Sequence, residues 1–175
     1  MALATDPSVP DLVAKVRTGS PDALADLYAA HSAALYRLAY RLLGTREEAE
    51  DVVHDLFVGL PEALRRYEER GSLLAWLKRV TVRLVLMRRR AATRRREVSI
   101  DTAESAPTRS VAEYSDLQSA VSALPDSLRT VLVLKEMEGY SHGEVAELLG
   151  ITAGASRARL TRALQQLRRQ LGASQ

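Results

Sequence analysis

Apolar residues recur every three or four positions along most of this chain, and the rhythm breaks where glycine, proline or serine intervenes. Such a period belongs to helices, so the pattern predicts an all-α protein. Ser20-Pro21 has the form of an N-cap followed by proline in the first turn. It opens a helix through Leu24, Leu27, Tyr28, Leu35, Leu38 and Leu42 that stops near Gly44. Thr45 to Glu48 reads as a capping box for a second helix carrying Ala49, Val52, Val53, Leu56, Leu60 and Leu64. Pro61 is expected to kink or end that helix locally. After Gly71-Ser72 a third helix places Leu73, Leu77, Val80, Leu84 and Met87 on one stripe toward a core.

From Glu97 to about Ala112 the periodicity dissolves into serine, threonine, alanine, Pro107 and scattered acids, the composition of a flexible linker. Fully extended, such a segment reaches about 50 Å at roughly 3.3 to 3.6 Å per residue. That exceeds one turn of B-DNA, about 34 Å. Helical pattern resumes near Tyr114 through Leu117, Val121 and Leu124, restarts at Pro125, and runs to Glu138-Gly139. Ser141 to Glu144 forms another capping box, Gly150-Ile151 makes a turn, and a last helix begins near Thr152. A short helix, a glycine turn and a second helix make a helix-turn-helix. Leu160, Leu164, Leu167 and Leu171 give that second helix an inner face, while its outer face carries Ala158, Arg162, Gln165 and Arg169 flanked by Arg157, Arg159, Thr161 and Arg168.

Charge sharpens this picture. The formal net charge is only +3, yet ten lysines and arginines and no acid lie between Arg70 and Arg96, and no acid follows Glu147. Segregated positive charge suits a polyanion, of which nucleic acid is the commonest, although a basic run alone is also what a solvated helix face looks like. Trp76, Arg79, Arg83 and Arg90 fall within about one sixth of a turn of each other on the third helix. An indole and guanidinium planes on one side suit stacked bases and phosphates, although a tryptophan at the edge of a core would read the same way. In the last helix, an arginine-rich outer face suits a major groove.

Composition excludes several classes. Cysteine is absent, so there is no disulfide framework and no thiol nucleophile, and the three histidines His31, His54 and His142 lack metal-ligand spacing. No metal and no cofactor is expected. No apolar run approaches the roughly 20 residues that span a bilayer, and no secretory leader pattern opens the chain, so a cytoplasmic location without membrane attachment is expected. The consecutive acids Glu47, Glu48, Glu50, Asp51 and Asp55 point around a helix and not at one ion, so the chain is not read as an enzyme.

Several blocks, taken in order, resemble the extracytoplasmic-function (ECF) subgroup of the sigma-70 family of bacterial RNA polymerase sigma factors. Leu35 to Ala39 with Leu42-Leu43-Gly44, then Glu48 to Phe57, then Gly71-Ser72 with Ala75-Trp76-Leu77 are similar to sigma region 2. Leu124-Pro125, Val131 to Leu134, Glu138 to Ser141, Glu144 to Ala146, Leu149 to Ile151 and Arg159 to Leu164 are similar to region 4. The resemblance implies two small helical domains, a region 2 bundle over 11–96 and a region 4 helix-turn-helix over 113–175. A flexible linker over 97–112 joins them, and a disordered N-terminus covers 1–10. It implies a transcription initiation factor that binds core RNA polymerase and directs it to specific promoters. Asp51, His54, Asp55 and Phe57 would dock on the β′ clamp helices. Tyr67, Arg70, Ser72, Trp76, Arg79 and Arg83 would take the minus-ten element as melted single strand. Arg157, Ala158, Arg159, Thr161 and Arg162 would read the minus-thirty-five element as duplex promoter DNA, with the turn before them meeting the β flap. An anti-sigma factor is a further implied partner, and no accessory C-terminal domain is expected.

Some positions depart from that pattern. His54-Asp55 stands where Gln-Glu is usual, Arg83 where asparagine is common, and Met87 where aspartate is common. Ala155-Ser156 replaces Thr-Val, with Ser156 on the inner side, where looser packing is expected. The alternative from the residues alone is a stand-alone helix-turn-helix regulator that binds palindromic DNA.

Overall fold

The computed structural model describes residues 9–68, 71–98 and 116–172. Eight α-helices and one π-helical turn account for nearly all of these: α1 (Val9–Arg17), α2 (Pro21–Leu43), α3 (Arg46–Leu64), α4 (Leu73–Val98), α5 (Asp116–Ser122), α6 (Asp126–Leu132), the π-turn (Val133–Met137), α7 (His142–Leu149) and α8 (Ala153–Gly172). Contacts divide them into two compact units, Met1–Ala39 with Glu47–Leu84, and Tyr40–Arg46 with Val85–Gln175. Residues 99–112 of the expected linker, the start of the following helix at Tyr114, and Arg70 lie outside the described residues.

In the first unit, Val13, Val16, Leu27, Leu35, Leu56, Leu60, Leu64 and Leu77 form a buried core from α1 to α4. The Ser20 hydroxyl accepts from the Ala23 amide at 3.4 Å, as the N-cap reading requires, and Gly44 closes α2 with φ +90°. The first helix was not among the expected elements, and the boundary drawn at residue 10 falls inside it. It is held by Arg17, whose Nε donates to the Leu64 carbonyl at 2.9 Å and whose Nη2 donates to the Tyr67 carbonyl. Carbonyls at a helix end lack intrahelical donors, and a basic side chain supplies them. Pro61 does not end α3, which continues to Leu64.

Met87 corrects the expected core stripe of α4. It is 61% exposed, while Thr81, Val82 and Val85 are buried. The residues of α4 from Val85 onward belong to the second unit, so each half of the helix buries a side chosen by different neighbours.

In the second unit, Ala120, Val121, Leu124, Leu132, Ala163 and Leu167 form the core, with Leu128, Leu160, Leu164 and Leu171 packed against it. Arg129 is the unexpected member, only 1% exposed. Its guanidinium donates to the carbonyls of Leu42 at 3.1 Å, Leu43 at 3.5 Å and Ser122 at 2.9 Å, and to the Asp126 carboxylate. A buried cation is tolerable only with such partners. The second capping box forms as expected. The Ser141 hydroxyl accepts from the Glu144 amide at 3.2 Å, and the Glu144 carboxylate accepts from the Ser141 amide at 2.9 Å. Gly150 then takes φ +65°, a left-handed conformation that favours glycine, and turns the chain into α8.

Candidate nucleic-acid interface and docking face

α8 begins at a threonine cap. The Thr152 hydroxyl accepts from the Ala155 amide at 3.0 Å, leaving the next turns free to project side chains. Burial of Ser156, Ala163 and Leu167 fixes which side faces inward. Arg157, Ala158, Thr161 and Arg162 are consequently exposed together, with Gln165, Arg168 and Arg169 continuing the face and Arg159 half-buried at its edge. The expected reading residues are therefore brought onto one surface. Ser156 is on the inner side as expected: it is fully buried, and its hydroxyl lies 2.9 Å from His142 Nδ1.

The residues expected around the melted element are arranged less uniformly. Arg79 and Arg83 are exposed on α4, and Ser72 is exposed just before it. Tyr67 is buried, 6% exposed, and its ring packs against Trp76 with centroids 4.9 Å apart, which leaves the indole half-buried. The Tyr67 hydroxyl reaches the Gly71 carbonyl at 3.5 Å, so the tyrosine braces the approach to α4. A cavity of about 410 Å³ opens beside this brace, lined by Val9, Pro10, His31, Tyr67, Gly71, Ser72, Leu73 and Leu74. Sequence reasoning gave His31 no role. Burial pushes its pKa below the ordinary 6.5, favouring the neutral imidazole, and only the fold reveals that α2 places it here.

On α3 the buried set Ala49, Val52, Val53, Leu56, Phe57 and Leu60 leaves Asp51, His54 and Asp55 on the opposite, exposed face. Phe57, the fourth residue of the expected docking set, lies beneath that face. It is 6% exposed and meets Tyr28 edge-on at 4.8 Å, so it supports the face from beneath. Its neighbour Val58 is 68% exposed and supplies an apolar element that the sequence reading did not assign. Among the described residues no group of three or more acids and histidines is placed to hold a metal, and no helix is long and apolar enough to cross a membrane.

One unit carries a helix-turn-helix whose outer face is rich in arginine and free of acids, and the other is a helical bundle with Asp51 and Asp55 exposed on α3, a combination of the kind found in helical transcription proteins. Comparison gives the family. Residues 27–95 match Sigma-70 region 2 and residues 114–167 match Sigma-70 region 4. The chain is 35% identical over 153 residues to the ECF RNA polymerase sigma factor SigE of Mycolicibacterium smegmatis, an alignment covering 82% of this chain and 59% of that protein. It is 30% identical to the RNA polymerase sigma factor CarQ of Myxococcus xanthus, covering 90% of this chain and 94% of CarQ. The fold is similar to that of the sigma factor RpoE solved with the anti-sigma factor NepR from Bartonella quintana. There the TM-score is 0.64 at 22% identity, covering 89% of this chain and all of that one. The chain belongs to the ECF group of sigma-70 factors, which bind core RNA polymerase and direct it to specific promoters.

Proposed function

We propose that this chain starts transcription by dividing three tasks among three surfaces. The outer face of α3, with Asp51, His54 and Asp55 around Val58, docks on the β′ clamp helices. The segment from Tyr67 to Ser72 with Trp76, Arg79 and Arg83 takes the minus-ten element as separated strand. The outer face of α8, with Arg157, Ala158, Arg159, Thr161 and Arg162, reads the minus-thirty-five element as duplex, and the turn before it meets the β flap.

The observation that carries this reading is the presence on one chain of an arginine-rich, acid-free α8 face and an α3 face that exposes Asp51 and Asp55. A cationic face gains by displacing counterions from phosphates. An acidic face beside DNA would be repelled, so it suits a basic protein surface. At the melted element, the cavity beside Tyr67 is of the size that accepts a nucleobase, since ligand pockets run from about 300 to 1,000 Å³. Extruding a base costs a few kcal/mol, and a pocket that receives it offsets part of that. An anti-sigma factor would act by covering these same faces, and polymerase docking places the protein in the cytoplasm.

Run-off transcription with purified core polymerase on a promoter library tests the proposal. The expected outcome is a new, sequence-defined set of start sites that appears only when both proteins are present. Tight binding to a palindromic duplex by the protein alone, with no new start sites, would instead identify a stand-alone regulator.

A further inference from the structure

Ser156 sits one turn into α8, its amide bonded to the Thr152 carbonyl at 3.0 Å and its side chain wholly buried. Its hydroxyl is 2.9 Å from Nδ1 of His142, the first residue of α7, fourteen positions earlier. The α7 end of this link is itself fixed by the Ser141–Glu144 capping box. The α8 end directly precedes Arg157. We propose that the His142–Ser156 hydrogen bond pins the recognition helix on α7, making these two side chains positioning residues for reading duplex DNA.

Apolar contact between two helices is non-directional and tolerates small slides and rotations. A hydrogen bond weakens steeply with distance and angle, so it selects one placement. It can form in either direction, from the hydroxyl to a bare Nδ1 or from a protonated Nδ1 to the hydroxyl. Base-edge contacts need placement to about 0.5 Å, so a pin at the first turn is passed directly to Arg157, Arg159 and Arg162. The seryl group at this buried position is thus a determinant of alignment.

The inference rests on the promoter-reading role proposed above, and its test separates the two. Holoenzyme assembled from this chain and core polymerase initiates on promoters carrying an intact or a scrambled upstream element, and the preference for the intact element is measured alongside thermal unfolding. If the parent shows no preference, the reading role of α8 fails. If it does, Ser156→Ala and His142→Ala should each lower the preference about three- to tenfold, the range expected for one hydrogen bond, and the double variant should lose no more than the worse single. Unchanged preference in the singles, with or without a lower melting temperature, overturns the pin, as do losses that simply multiply. Ser156→Cys keeps a heavy atom at the γ position should the alanine variant not fold, and its weakly bonding thiol should show the same loss. A cysteine variant that discriminates like the parent also overturns it.

Discussion

The outer faces of α3 and α8 are built alike and charged oppositely. Both are exposed sides of amphipathic helices, each fixed by a buried stripe of small and branched residues. α3 mixes acids with a large aliphatic, Asp51, His54 and Asp55 beside Val58, whereas α8 carries arginines with Thr161, Gln165 and the small Ala158, and no acid. A mixed patch offers a protein both burial and directional pairing. A uniform patch offers little to a protein but much to a regular row of phosphates. The formal net charge of +3 averages these two surfaces and conceals both. On the proposed division of surfaces, partner choice resides in the arrangement of charge, not its sum.

The sharpest way to break this contrast is to give α3 the character of α8. Asp51→Arg with Asp55→Arg should abolish co-purification with core polymerase, since like-charge juxtaposition at an interface costs several kcal/mol. Both positions are exposed, so the far-ultraviolet circular dichroism should match the parent. Normal capture would remove α3 from the docking role. A smaller effect is expected on the other face. Arg157→Ala and Arg162→Ala should each weaken recognition of the upstream element by about 1 to 3 kcal/mol where a base is read, or lower the salt slope by about one where a phosphate is held. Polymerase capture should be untouched, and an unchanged promoter selection with an unchanged salt slope would refute the assignment.

The smallest effect concerns acid. Because burial lowers the His31 pKa from 6.5, the folded chain holds fewer protons there than the unfolded chain as pH falls through and below that value. Stability of the first unit is therefore complete above about pH 6.5 and declines below it. Trp76, the only tryptophan, belongs to that unit and reports its unfolding by fluorescence. His31→Gln should flatten the decline in melting temperature between about pH 7 and 5.5. An identical slope in the variant would mean that other groups cause it.

Local chemistry was the legible part of the fold. Ser20-Pro21, Ser141 with Glu144, and Gly150 each carry their signal within four residues, and each sits where that signal places it. The α8 outer face was legible for the same reason, since one helix and one period decide it. What escaped depends on distant segments. Arg129 looks like any helical arginine until the carbonyls of Leu42 and Ser122 surround it. Met87 continues the stripe of Leu73, Leu77, Val80 and Leu84, but α4 changes neighbours at Val85. Phe57 and Tyr67 were assigned outward roles through the resemblance, while their large rings were drawn inward by Tyr28 and Trp76. The first helix was within reach, because Leu12, Val13 and Val16 are helically spaced, but its anchoring by Arg17 was not.

The π-turn at Val133–Met137 is closed by the Glu138 amide on the Val133 carbonyl, five residues back. In a uniform α-helix the same carbonyl would take a donor one residue earlier. The turn thus inserts a phase step of about 100° into the chain, the rotation of a single residue. Everything downstream inherits that step: the Gly139 turn, the α7 cap, and finally the compass bearing of the arginines on α8. On the proposed reading of α8, the side it turns toward DNA is set partly by a bulge outside that helix.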